Sequence, residues 1–130
     1  MNILAVDDHP EFLASISEEL EDCGHQVTRC VRADEAVAAL ARIGEYDLVI
    51  LDIMMRLGSA IEPGEASETG IAIYRRLRRI SIDVPVVVIS AKSKDRFWKE
   101  EGFSKDHRAV YFAKPLKAEE NISQIVARLK

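Results

Sequence analysis

The chain predicts an α/β fold in which a parallel sheet is covered by helices on both faces, and three observations lead there. Short apolar runs alternate with longer amphipathic stretches from end to end, the pattern of repeated strand–helix units. The central runs Leu48 to Leu51 and Val84 to Ile89 are apolar throughout, as strands buried on both sides are. The intervening stretches carry apolar residues at helical spacing, as in Ile71, Ile73, Tyr74, Leu77 and Ile80.

In chain order, strands are expected near 2–6, 26–31, 47–51, 84–89 and 109–113, and helices near 10–23, 33–43, 68–80, 93–102 and 117–129. Asp8 followed by Glu11, with Pro10 in the first turn, fits a capped start to the first helix, and Gly24 fits its end. The segment from Arg56 to Thr69 holds Gly58, Pro63, Gly64 and the acids Glu62, Glu65 and Glu68 without an apolar period. It reads as a long loop of about 56–69 inserted between the third strand and the third helix. At 130 residues, with no visible linker, residues 1–130 are expected to form one domain around one core.

Composition narrows the function. A net charge of −4 gives no general attraction to nucleic acid. The run Arg75, Arg76, Arg78 and Arg79 reads as a solvated helix face rather than a DNA contact. No apolar run approaches the ~18 residues of a membrane span, and no signal peptide opens the chain, so a cytoplasmic protein is expected. Cys23 and Cys30 lack metal spacing and read as reduced core thiols. His9, His25 and His107 suggest no metal site by their spacing, and no phosphate-cradling Gly-rich loop is present.

The polar residues at strand ends carry the chemistry. Asp7 and Asp8 end the first apolar run and Asp52 ends the third, and the carboxyl ends of neighbouring parallel strands open onto one crevice. Three converging carboxylates call for a hard divalent ion such as Mg²⁺, held through carboxylate oxygens and water. Ser90-Ala91 after the fourth strand and Lys114-Pro115 after the fifth fall at the same edge.

An acidic pair, an aspartate, a Ser-Ala and a Lys-Pro at those successive strand ends resemble the receiver domain of two-component response regulators, over essentially the whole chain. The resemblance implies a flavodoxin-like sheet of order 2-1-3-4-5. It implies a stand-alone, chemotaxis-regulator-like receiver that catalyses only its own phosphorylation and dephosphorylation. Asp52 would be the phosphoacceptor, taking phosphate from a histidine kinase or a histidine phosphotransfer protein. Asp8 would bind Mg²⁺ directly and Asp7 largely through water, with Asp52 and the Met54 backbone carbonyl completing the metal set. Lys114 and Ser90 would contact the phosphoryl group, and Ser90 with Tyr111 would form the switch. Met54 and Lys92 would stand nearest the attacking water, and neither suits orienting it.

Singly, these residues have plain structural readings: caps for the aspartates, loop groups for Ser90 and Lys114, core for Tyr111. Jointly they do not. Two other functions compete: a pseudo-receiver that binds partners without phosphorylation, and a Mg²⁺-dependent phosphohydrolase. The latter would resemble Asp-x-Asp after the first strand, where His9 takes the second acidic place. The chain also departs from the family pattern, with Arg56 where proline is common and Gly70 delayed by the acidic insertion. Phe97 and Trp98 fall in the expected fourth helix, on the face of helix 93–102, strand 109–113 and helix 117–129 through which the family signals. With no output domain expected beyond the last helix, the effect would pass through an unnamed downstream protein or a homodimer.

Overall fold

The computed structural model describes residues 1–56, 58–66, 68–91, 105–116 and 121–129. Five strands, β1 (Asn2–Val6), β2 (Gln26–Cys30), β3 (Leu48–Leu51), β4 (Val86–Ser90) and β5 (Ala109–Ala113), form one sheet of order β2-β1-β3-β4-β5. Every pairing is parallel. The flavodoxin-like order is therefore the one expected. Strand limits move by one or two residues, with β4 running on to Ser90 and β3 starting at Leu48.

The reason for the uninterrupted apolar strands lies in the two cores. Leu4, Val6, Val49, Leu51, Val86 and Val88 face one side, where they meet Ala36, Ile71 and Leu77. Ile3, Ala5, Leu48, Ile50, Val87 and Ile89 face the other, against Leu13, Ile16, Leu20 and Ile125. Alternate side chains of one strand thus feed opposite cores. The second core seats α1 (Pro10–Asp22) and the C-terminal helix (Ile122–Arg128), and the first seats α2 (Ala33–Ala39) and α3 (Thr69–Ile80).

Several local expectations need correction. The N-cap of α1 is His9, which makes no side-chain cap bond, while Pro10 takes the first turn. Asp8 is not the cap because its carboxylate is turned toward the segment after β3, where it accepts the Arg56 amide at 3.0 Å. Gly24 does close the helix: it adopts φ 91° and donates its N–H to the Glu21 carbonyl at 2.9 Å. The second helix is α-helical only through Ala39. A 3₁₀ stretch, Leu40–Glu45, follows with Arg42 in non-helical geometry.

Cys30 is buried but Cys23 is exposed at the C-cap of α1, so only one of the two free thiols belongs to the core. Ile80, at the frayed end of α3, is 59 % exposed rather than core. Of the arginine run, only Arg75 and Arg79 are exposed. Arg76 forms a fork with Glu65, and Arg78 pairs with Asp106 while donating to the carbonyls of Ser81 and Val84. The expected helix at 93–102, with Lys92, Phe97 and Trp98 in and beside it, lies outside the described residues, as does the start of the helix expected at 117–129. Among the described residues, no helix is long and apolar enough to cross a membrane.

Candidate phosphoacceptor site

Backbone ladders bring the polar residues together. The Asp7 N–H donates to Cys30, that of Asp52 to Val6 and that of Lys114 to Ser90, each extending a parallel pairing by one step past the strand. β1, β3, β4 and β5 therefore end side by side at one crevice. Ser90 is the last residue of β4 and is fully buried, not a loop residue.

Asp7 and Asp52 are each 2 % exposed. The Lys114 ammonium lies 2.6 Å from Asp7 Oδ2 and 3.3 Å from Asp52 Oδ2, and it stands 4.4 Å from the centroid of the Phe12 ring. The second Asp52 oxygen, Oδ1, accepts the Met54 amide at 3.1 Å. Burial, and then the charge of Asp7, push the Asp52 carboxyl up to about 6, with Lys114 pulling the other way. A buried carboxylate beside another is the less stable for it, and a further cation in the crevice would relieve both.

His9, which its spacing along the chain left without a role, also belongs here. Its Nδ1 lies 3.2 Å from Asp7 Oδ1, 3.3 Å from Asp8 Oδ1 and 4.0 Å from Asp52 Oδ2. One ligand atom from each of Asp7, Asp8, His9 and Asp52 lies within 4.8 Å of the others. The sequence signal was adjacency to the acidic pair rather than spacing between histidines. Asp8 Oδ1 is buried without a hydrogen-bond partner, an orphaned acceptor of the kind a divalent ion satisfies. The oxygen-rich donor set fits Mg²⁺.

The insertion packs against this site. The N–H of Gly70 donates to the Ile53 carbonyl at 2.9 Å, and a Cβ on Gly70 would run into the Asp52 carbonyl oxygen and the Ile53 Cα. Only glycine allows α3 to start this close to the site. Ile61 and Met55 are buried in the α2–α3 core. Asp34, at the start of α2, accepts from the Ser59 amide and hydroxyl and the Ala60 amide. Glu65 is held by Arg76, which pairs its charge within the fold. On the other side of the site, Tyr111 is already buried, and it hydrogen-bonds with Ser90.

Residues 3–126 match the Response regulator receiver domain family. The chain belongs to that family. Similar curated proteins include the transcriptional regulatory protein TcrA of Mycobacterium tuberculosis, 32 % identical over all of this chain and 45 % of its own length. Protein PilH of Pseudomonas aeruginosa is 28 % identical over 98 % of this receiver and 96 % of that protein. Against TcrA, then, this receiver chain spans about half the relative's length; against PilH it spans nearly all of it. Among solved structures, the NtrX receiver domain from Brucella abortus aligns with a TM-score of 0.75 at 26 % identity, covering 98 % of this chain and 96 % of that one. The chemotaxis protein CheY4 of Vibrio cholerae, at TM-score 0.73 and 22 % identity over 99 % of this chain and 98 % of that one, shares the fold. The chain is thus a response regulator receiver domain of two-component systems.

Proposed function

We propose that Asp52 is the phosphoacceptor of this receiver and that it takes its phosphoryl group from a phosphohistidine on a histidine kinase or histidine phosphotransfer protein. The observation that carries this reading is a buried carboxylate, Asp52, bounded by Lys114 on one side and by Asp7 and the orphaned Asp8 oxygen on the other. A carboxylate oxygen of Asp52 attacks phosphorus, the phosphorus–nitrogen bond breaks, and the imidazole leaves with the electron pair and gains a proton. Asp7, Asp8, Asp52 and the Met54 carbonyl would hold Mg²⁺, which supplies charge neutralisation on the transferring oxygens. Lys114 contributes the same neutralisation from within the chain and orients Asp52.

Ser90 and Tyr111 form the switch in this proposal. The new phosphoryl group brings roughly −1.5 to −2 charges, and its oxygens compete with Tyr111 for the Ser90 hydroxyl. The response then passes to protein partners, and the setting is the cytoplasm, where free thiols such as Cys23 and Cys30 persist. The test is labelling with acetyl phosphate in Mg²⁺, alongside amide NMR with Mg²⁺ and beryllium fluoride. Asp52→Asn is expected to abolish labelling, and wild-type labelling rates in that variant would overturn the assignment. Ser90→Ala is expected to label yet to lose the amide shifts at β5.

A further inference from the structure

We propose that Arg56 is a built-in competitor for Asp8 and sets how readily the acidic crevice takes a divalent cation. The inference rests on the reading of the crevice given above and adds a residue to it. The two oxygens of Asp8 are in unlike situations. Oδ1 is buried without a hydrogen-bond partner, whereas Oδ2 accepts the Arg56 backbone amide at 3.0 Å and lies 3.7 Å from the Arg56 Nε. The side chain of Arg56 is 90 % exposed, against 13 % for Asp8. A permanently charged guanidinium therefore leans from solvent onto a nearly buried carboxylate.

The cations of the crevice divide the carboxylates between them. Lys114 pairs with Asp7 and Asp52, and Arg56 with Asp8 Oδ2, while the His9 imidazole stands 3.2 Å from Asp7 Oδ1 and 3.3 Å from Asp8 Oδ1. Any ion drawn to Asp8 meets a positive side chain already there. Arg56 keeps this position because the backbone is tied at Arg56 itself and again at residues 59 and 60. Its own amide is bound to Asp8, and a few residues on, Asp34 grips Ser59 and Ala60. Arg32 provides the contrast. It lines the same cleft and its side chain is 80 % exposed, but its ion pair is with Glu35 at 3.6 Å.

The experiment is Mn²⁺ binding followed by water-proton relaxation at low salt, with Mg²⁺ displacement, on wild type, Arg56→Ala, Arg56→Lys and Arg32→Ala. The backbone amide survives each substitution, so the clamp on Asp8 Oδ2 is retained. An exposed ion pair of this kind predicts about two- to fivefold tighter cation binding in Arg56→Ala. Arg56→Lys is expected near wild type, because the charge stays, and Arg32→Ala unchanged. Equal gains in Arg56→Ala and Arg32→Ala would mean a diffuse field and overturn the proposal, as would no gain or weaker binding in Arg56→Ala. A selective gain in Arg56→Ala with no acetyl-phosphate labelling of any variant would uphold the role of Arg56 while removing Asp52 as phosphoacceptor. Absence of Mn²⁺ binding in every variant would overturn both.

Discussion

Asp52 holds its proton more tightly in the folded chain than an exposed aspartate does, since burial raises its carboxyl to about 6. The folded state thus binds a proton that the unfolded state has already released. The stabilisation this gives is full below about pH 4 and is lost as pH rises through about 6. In metal-free buffer, Asp52→Asn is expected to gain on wild type over that window, by an amount on the order of 3 kcal/mol by neutral pH. Urea unfolding at successive pH values measures it, and a flat difference between the two proteins would contradict it. Burial separates the two thiols. Burial, and then Glu35, push the Cys30 thiol up to about 11 against the pull of Arg42, whereas Cys23 is exposed. Alkylation of the native protein in mildly alkaline buffer is expected to modify Cys23 quickly and leave Cys30 until the protein unfolds.

At the scale of elements, the insertion is the part of this receiver whose character changed most between sequence and structure. Its acidic residues and lack of an apolar period suggested a long inserted loop. Its contacts instead make it a brace: Ile61 enters the α2–α3 core, Glu65 forks with Arg76, and Asp34 ties Ser59 and Ala60 to α2. Asp34→Ala is expected to lower stability in denaturant unfolding and to speed hydrogen exchange at the Ser59 and Ala60 amides. Exchange there at the wild-type rate would show that the tie is not what orders the segment. Gly58 sits under the same carboxylate, where a Cβ would collide with the Asp34 side chain.

Across the whole molecule, Arg78 joins parts far apart in sequence. From α3 it reaches the Ser81 and Val84 carbonyls before β4, and Asp106 and the Arg108 carbonyl before β5. Tyr74 donates its hydroxyl to the same Asp106, whose carboxyl is held below the usual range by the Tyr74 and Arg78 hydrogen bonds despite its partial burial. Arg78→Ala would take a donor away from Asp106 and from three carbonyls. A loss of about 2–3 kcal/mol in denaturant unfolding is expected. Arg79→Ala, exposed on the same helix, is expected to change little.

The sequence by itself determined the alternation of strands and helices, the burial of β3 and β4 on both faces, and the edge at which the acidic residues gather. Those follow from local periodicity and from the rule that parallel strands present their carboxyl ends together. The order 2-1-3-4-5 came from the resemblance and not from periodicity, because strand neighbours are set by contacts distant in sequence. Tertiary structure alone decided three further things. Asp8 left its expected capping role because its carboxylate accepts the amide of Arg56, distant in sequence, instead. His9 joined the carboxylates because strands β1 and β3 end together in space. Arg76, Arg78 and Glu65 became structural ion pairs rather than solvated charges because the insertion and the segment before β5 fold back against α3. A residue's charge and helical phase are written in the chain; the partner that neutralises that charge is chosen only when remote segments meet.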